Sequence, residues 1–345
     1  MTAGDHQPRF TPSLECRRPQ QPDALTDSQT AALDALRSHI HDTVVKSETH
    51  RQWADDRCLI RYLRSKKWNL QESKQAVQES MLWRDSYGPN RPDKEALWIE
   101  TAVGKLYVSG FDMESRPLLY MKPRLENTAA SPSQIRHVVY HLEIALALMP
   151  EGVENLCIII DFAGSSMTKN PGVAVAREII NVLGSHYPER LGKAYIIHAP
   201  WFFFPFFKLI SPFIDPVTKA KINFVDMKKQ KPKTKTIISA PSSAAASEIE
   251  LPNGVSSSAA STASSKKSSA SKDNNKDGTS TDQVNLLDVI PEDMLEREFG
   301  GSSDYVYNQQ VYWDAAAQVL ADSRARLENG GGSTSATTAV VQEAA

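Results

Sequence analysis

The sequence predicts an α/β fold, with a small helical front end followed by a mostly parallel sheet. Three observations carry this reading. Between Thr26 and Tyr87 apolar residues recur at helical spacing, whereas after Arg91 strand-like and helix-like stretches alternate. The run Cys157-Ile-Ile-Ile-Asp161 is short and apolar up to its terminal acid, as a strand covered on both faces is. From Trp201 to Phe207 six of seven residues are aromatic. Burying one phenylalanine is worth roughly 1.5–3 kcal/mol, so this segment must face a core, an apolar ligand or a membrane.

Residues 1–24 are rich in Pro, Gln and Arg and are expected to be disordered. Thr26-x-x-Gln29 is a capping box, and Leu33, Leu36, Ile40 and Val44 follow on one helical face. Asp55 can cap a second helix carrying Leu59, Tyr62 and Leu63. A third helix, from Asn69 to about Tyr87, should bury Ala76, Val77, Ser80 and Trp83 and stop at Gly88-Pro89. Residues 25–90 thus form a small helical domain. Its basic run Arg61, Arg64, Lys66 and Lys67 ends the second helix, where positive charge suits the macrodipole.

Residues 91–227 form the main domain. Leu106–Ser109 and Leu118–Lys122 read as a hairpin across Asp112-Met-Glu-Ser115. Ser131 as N-cap, Pro132 at the first position and Gln134 as capping partner open a helix to about Met149. A strand over Asn155–Phe162, a helix over Val173–His186, a strand over Lys193–His198 and a short strand over Ile222–Val225 complete the alternation. The texture then changes. A lysine-rich run from Lys228 to Lys235 leads into Ser239–Ser271, with 13 serines in 33 positions, so 228–283 is expected to be a disordered insertion. Residues 284–328 complete the domain with a final amphipathic stretch over Val311–Leu327, and 329–345 form a disordered tail.

Composition excludes several functions. A chain of 345 residues with 41% hydrophobic content can bury a sizeable core, and its net charge of −2 exerts no global pull on nucleic acid. Cys16, Cys58 and Cys157 lie far apart, and no N-x-[ST] acceptor occurs; both features suit a reducing interior such as the cytoplasm. The N-terminus does not read as a signal peptide. Ala194–Ile214 is apolar enough to suggest a membrane span, but Pro200, Pro205 and Pro212 interrupt it, and His198 and Lys208 are polar.

Enzyme signatures are thin: there is no phosphate-binding loop, nucleophile elbow or zinc-protease motif. Asp161 beside Gly164-Ser165-Ser166 could mark an α/β active site, but reads more simply as a polar residue closing a strand. His137 and His141 could share a metal, yet no further ligands cluster with them. Cys58 has no evident base partner. No enzyme activity, cofactor or metal is expected.

The flanks of the aromatic stretch are polar. Asp215-Pro216-Val-Thr218 is a helix start, Lys221 follows it, and Glu189-Arg190 precedes the strand before the aromatics. Charged groups therefore bracket a greasy segment, as an amphiphile site requires; a structural Glu–Lys pair or ordinary surface charges are the plainer reading.

Three motifs together resemble the CRAL-TRIO lipid-binding family, nearest its fungal phosphatidylinositol transfer proteins of the drug-resistance branch. They are Tyr187-Pro-Glu-Arg-Leu-Gly-Lys193, Pro212-Phe-Ile-Asp-Pro-Val-Thr218 with Lys221-Ile222, and Asp55-Asp56 with Leu59-Ile-Arg-Tyr-Leu-Arg64. Ile290-Pro-Glu-Asp-Met-Leu295 and Phe299-Gly-Gly301 match a further family segment. The resemblance implies a bowl with the sheet as floor and a lid helix over an apolar cavity. Lid and cavity residues would be Trp201, Phe202, Phe203, Phe204, Phe206, Phe207, Ile210, Phe213 and Ile214.

It also implies that Glu189 and Lys221 bind the phosphatidylinositol head group, with Arg190, Thr218 and Lys66 as further contacts. Lys66 departs from the family's arginine and loses bidentate phosphate geometry. Leu156 and Ile158 stand where the family places hydroxyls for phosphatidylcholine, so the second ligand is expected to be a sterol or other apolar lipid. The expected function is lipid transfer or presentation through a mobile lid, by a monomer that touches internal membranes such as endoplasmic reticulum or lipid droplets transiently. A non-transferring lipid sensor or scaffold of the same fold is the alternative.

Overall fold

The computed structural model describes residues 6–19, 24–166, 172–230 and 284–328. Most of the serine-rich insertion and the C-terminal tail lie outside the described residues.

Five helices precede the sheet: α1 (Asp27–Thr43), α2 (Glu48–Trp53), α3 (Asp56–Ser65), α4 (Leu70–Tyr87) and α5 (Lys94–Thr101). The Thr26–Gln29 capping box is formed reciprocally, and Asp55 accepts from the Cys58 amide. Gly88, at φ 63° in the left-handed region, closes α4. Leu33, Leu36 and Ile40 of α1 meet Leu59, Tyr62 and Leu63 of α3 and Val77 and Met81 of α4 in one core. Two expectations are corrected. Ala76 and Trp83 are only half-buried, because the inner face of α4 runs through Ser73, Val77, Ser80 and Met81. Helices α2 and α5 were not anticipated, being too short for a periodic signal.

The sheet is ordered β1 (Leu106–Phe111), β2 (Pro117–Met121), β3 (Leu156–Asp161), β4 (Leu191–Ile197), β5 (Ile222–Val225). The β1–β2 hairpin is antiparallel and every later pairing is parallel. Between them run α6 (Pro132–Leu148), α7 (Val173–His186), and α8 (Phe203–Ile210) followed by α9 (Pro216–Lys219). Parallel neighbours joined by right-handed crossovers in sequence place their connecting helices on one side, and α7 touches both α6 and α8. The Ser131 side chain makes no capping bond; Gln134 donates instead to Thr128 Oγ1 at 3.2 Å.

Register assigns the strand residues to two apolar faces. Tyr120, Ile159 and Tyr195 share one face, and Leu119, Ile158 and Ala194 share the other. The first face is covered by the returning segment α10 (Leu286–Val289) to Tyr305: Phe299 stacks on Tyr120 at 5.8 Å, and Tyr305 tilts against Tyr107 at 5.6 Å. Position 301 within this segment is glycine because a Cβ there would stand 1.9 Å from the Leu295 carbonyl oxygen. Gln230 bonds both Val284 O (3.0 Å) and Leu286 N (2.7 Å), so the two edges of the insertion are pinned side by side. Helix α11 (Gln309–Glu328) closes the fold and sends Tyr312 Oη to the Val108 amide at 2.9 Å.

The N-terminal segment departs from the expectation of disorder. Residues 6–19 run along the hairpin: the Arg9 carbonyl accepts from Gly110 N at 2.8 Å, Arg17 N donates to Met113 O at 2.7 Å, and Phe10 sits edge-on to Tyr312. Composition misleads here because the edge strand and α11 supply partners that a polar, proline-rich stretch does not have by itself.

His137 and His141 are buried with rings 4.5 Å apart and with both Nε2 atoms unpartnered. Among the described residues no group of three potential metal ligands exists. Burial pushes the His141 imidazole down from its ordinary 6.5 to about 4, against the opposing bond to His137 O. The unfolded chain therefore takes up a proton between those values that the folded chain refuses. Stability from this group is unchanged above pH 6.5 and falls by about 3 kcal/mol as pH drops to 4. Urea unfolding of His141→Phe at pH 7 and pH 4.5 should show a shallower loss than the parent; equal losses would place the acid sensitivity elsewhere.

Candidate functional site

The aromatic segment folds as an eight-residue helix, α8, extended by a turn of 3-10 helix over Ser211–Phe213. Phe203, Phe207 and Ile210 recur at i, i+4 and i+7 and are buried against Phe162, Ala176, Ala194, Ile196 and Ile222. At about 2 kcal/mol each, this seat is worth roughly 5–8 kcal/mol. Phe202, Phe206 and Ile214 are half-buried around it. The outer side is apolar too. Trp201 is 76% exposed, and Phe204, Leu209, Phe213 and Val217 are also exposed. The Arg177 guanidinium lies 4.2 Å over the Phe213 ring and fastens the far end of the segment to α7.

Beside this helix the sheet is not fully covered. Met121, Ile158 and Ile160 sit on the face that α8 occupies, yet each is only half-buried although all three lie in interior strands, whereas Phe224 of the edge strand β5 packs against Phe203, Phe204 and Phe207 of α8. They form an apolar floor continuous with the seat of α8. No helix among the described residues is long and apolar enough to cross a membrane.

Just before β4 and β5, Lys221 Nζ stands 3.6 Å from Glu189 Oε2, with side chains 22% and 28% exposed. The two form an ion pair too long for a hydrogen bond and reachable from solvent, so each keeps capacity for a ligand. Both are fixed by the backbone. Glu189 is at φ 59°, in the left-handed region that a side chain with a Cβ rarely adopts. The Lys221 carbonyl accepts from Ala194 N and from the Asn223 side chain, each at 3.0 Å. Asp215 caps Thr218 N at 2.9 Å, which holds the turn before Lys221, and the Thr218 side chain makes no hydrogen bond among the described residues.

The structure does not bring the remaining expected contacts together with this pair. Arg190 turns away: its Nη1 donates to the Glu154 carbonyl at 2.8 Å, and burial together with neighbouring Arg61 pushes its guanidinium down to about 10. Lys66 closes α3 through its backbone, and its side chain forms no ion pair with Glu189 among the described residues. Arg61 and Arg64 of the same helix pair with Glu154. Leu156 is buried in the sheet, and Ile158 belongs to the floor.

Asp161 is committed to the fold. Its carboxylate takes an ion pair from Arg124, a bond from His198 Nδ1 at 2.8 Å and the Ala163 amide at 2.9 Å. Burial raises its pKa, but these partners outweigh burial and hold it below the ordinary value. The strand-end acid is thus occupied as a structural junction between β3, β4 and Arg124.

Sequence reasoning missed Arg84, Glu143 and Tyr187. Arg84 makes a bidentate bond to Glu143 at 2.9 and 3.0 Å, and Tyr187 Oη donates to the same carboxylate at 2.7 Å. Burial raises the Glu143 pKa, and Arg84 more than reverses this, leaving it lowered. One signal was present: Glu143 is the only acid in the apolar run of α6, and an acid there needs a buried partner.

The chain matches the CRAL/TRIO domain model over residues 101–240 and the CRAL/TRIO N-terminal domain model over 32–79. It is 45% identical over 177 residues to a CRAL-TRIO domain-containing protein of Schizosaccharomyces pombe, covering 51% of this chain and 18% of that one. It is 37% identical over 199 residues to the phosphatidylinositol transfer protein PDR17 of Saccharomyces cerevisiae, covering 54% and 57%. The chain therefore spans from under a fifth to just over half of these relatives' lengths. The solved structure of Sfh5 aligns at TM-score 0.46 and 14% identity, over 59% of this chain and 82% of that one.

The left-handed backbone at Glu189 generates a test. A left-handed non-glycine residue costs about 1–2 kcal/mol, so Glu189→Gly should be at least as stable to heat as the parent and more stable than Glu189→Ala. A glycine variant clearly less stable than the parent would make the Glu189–Lys221 pair a structural one.

Proposed function

We propose that this chain, which belongs to the CRAL/TRIO family, is a carrier that binds phosphatidylinositol and exchanges it at membranes. One observation carries the reading: a solvent-reachable Glu189–Lys221 pair stands just before Leu191 and Ile222, which open two strands of the apolar sheet face on which a helix that is aromatic on both sides is seated. An inositol phospholipid has the matching chemistry. Its ring hydroxyls donate to a carboxylate, its phosphate accepts from an ammonium, and its acyl chains need an apolar bed. Each buried methylene is worth about 0.8 kcal/mol, so a chain of about 16 carbons would cost on the order of 13 kcal/mol to carry through water uncovered.

Helix α8 serves as the lid. To admit a chain it leaves the seat under Phe203, Phe207 and Ile210, and a bilayer offsets that loss by taking up Trp201, Phe204, Leu209 and Phe213. The lid therefore opens where lipid is available and closes in water. No bond is made or broken, so no catalytic group is required. Thr218 lies close enough in sequence to Lys221 to add a hydroxyl to the head group, and Lys66 and Arg190 join only if the turn or α3 rearranges. The second ligand is a sterol or other apolar lipid, because Leu156 and Ile158 offer no donor to a choline phosphate and an unpaired buried phosphate is costly. The carrier works as a cytoplasmic monomer that contacts endoplasmic reticulum or lipid droplets transiently. The similarity to PDR17, named as a phosphatidylinositol transfer protein, supports this reading.

Glu189→Ala combined with Lys221→Ala should reduce phosphatidylinositol transfer between vesicles at least tenfold while the melting temperature stays within a few degrees. Normal transfer by that variant sinks the head-group assignment. Tryptophan emission offers a second check on the lid. Vesicles should shift the emission to shorter wavelength in the parent, and Trp201→Ala should remove most of the shift; a shift that survives the substitution would rule out Trp201 as the docking group.

A further inference from the structure

The N-terminal helices meet the rest of the chain at the turn that carries Glu189. Ser80 Oγ of α4 contacts the Ser185 carbonyl at 3.0 Å and His186 Nδ1 at 2.9 Å. Trp83 stacks flat on the His186 ring, with centroids 4.1 Å apart and planes within 7°. Tyr62 Oη of α3 reaches the His186 carbonyl at 3.4 Å. Arg84 and Tyr187 converge on Glu143 of α6, whose side chain is 8% exposed. Two residues beyond this clamp, the chain takes the left-handed conformation at Glu189 and then enters β4, where the Arg190 carbonyl accepts from Leu156 N at 2.9 Å.

A strained residue persists only where its surroundings over-determine it. Downstream the strand ladder supplies that constraint; upstream it is supplied by α4 and Glu143. Tyr187 is the point of attachment. Its backbone is bonded at both ends, N to Leu183 O at 3.0 Å and O from Arg190 N at 3.4 Å, while its hydroxyl ends on the Arg84-bound carboxylate. Breaking that hydroxyl bond leaves Arg84 and Glu143 paired and satisfied, so the core survives while the turn gains freedom.

We propose that Arg84, Glu143 and Tyr187 are positioning residues for the Glu189 carboxylate, so that the N-terminal helices set head-group selectivity through the Tyr187 hydroxyl. This rests on the reading of Glu189 as a head-group residue. Arg84 is the anchor because its two bonds fix the orientation of the Glu143 carboxylate. Glu143 relays that orientation to Tyr187, and the turn passes it to Glu189.

The test compares the full chain with Tyr187→Phe, Glu189→Ala and the double variant. Each is measured for transfer of phosphatidylinositol and of phosphatidic acid with the same acyl chains, and the ratio is the selectivity. Tyr187→Phe should lower the ratio roughly five- to tenfold with little change in phosphatidic acid transfer. In the Glu189→Ala background it should lower it no further, because the residue it positions is gone. Amide hydrogen exchange at Arg190 should accelerate in Tyr187→Phe even without lipid. A parent-like ratio for Tyr187→Phe, or an effect that multiplies with that of Glu189→Ala, overturns the positioning role and leaves the head-group reading standing. A Glu189→Ala variant with parent selectivity overturns the head-group reading, and this inference with it. Glu143→Gln gives an independent check: it keeps the side-chain shape but weakens the hold on Arg84, and a parent-like ratio for it also counts against the relay.

Discussion

A sheet with two apolar faces must be covered twice, and the rest of this molecule follows from how that is done. On one face the cover is permanent. Phe299, Tyr305 and the α10 segment stack on Tyr107 and Tyr120 and close with Gly301 against the Leu295 carbonyl. On the other face α8 covers the β4–β5 side, and Met121, Ile158 and Ile160 stay half-buried. Apolar surface left in that state is costly in water and useful to a lipid.

The lid role proposed for α8 can be weighed against the energetics of its seat. Its seat, a few phenylalanine-sized contacts, is of the same order as the net stability of a whole domain, about 5–15 kcal/mol. In water the helix therefore stays down. The exposed side of the segment is nevertheless aromatic too, through Trp201, Phe204 and Phe213. Under the proposed function a bilayer would exchange one set of contacts for the other, which water cannot do. Proline at position 205 lies in the first turn of α8, where its missing N–H costs no intrahelical bond.

Charge is distributed according to the same division. Where the fold needs permanence, ions are buried and tightly paired, as in Arg84–Glu143, Lys105–Glu100 and Lys122–Glu296. Removing one partner from such a pair leaves an uncompensated buried charge. At Glu189–Lys221 the pair is loose and partly exposed, on a strained backbone, which suits exchange with a ligand better than stability. The strand-end acid Asp161, in the position where many α/β folds keep their chemistry, is instead consumed by Arg124 and His198.

By itself the sequence determined most of what is local in the chain, although the Ser131 cap it offers does not form. The Thr26 and Asp55 caps, the Gly88 stop, the apolar β3 run and the Asp215-Pro216 helix start all fold as their residues dictate, because caps, periodicity and turn chemistry act within a few positions. It also placed Glu189 and Lys221 on either side of the aromatic segment. Tertiary structure decided everything that depends on partners remote in sequence. It turned Arg190 toward Glu154 and away from the pair, fixed residues 6–19 along β1, and divided the aromatic residues into a buried row and an exposed one. It also joined Arg84 of α4, Glu143 of α6 and Tyr187 into one cluster. Local propensity cannot specify such meetings, because their energy arises only when burial removes water from charges that the fold has already brought together.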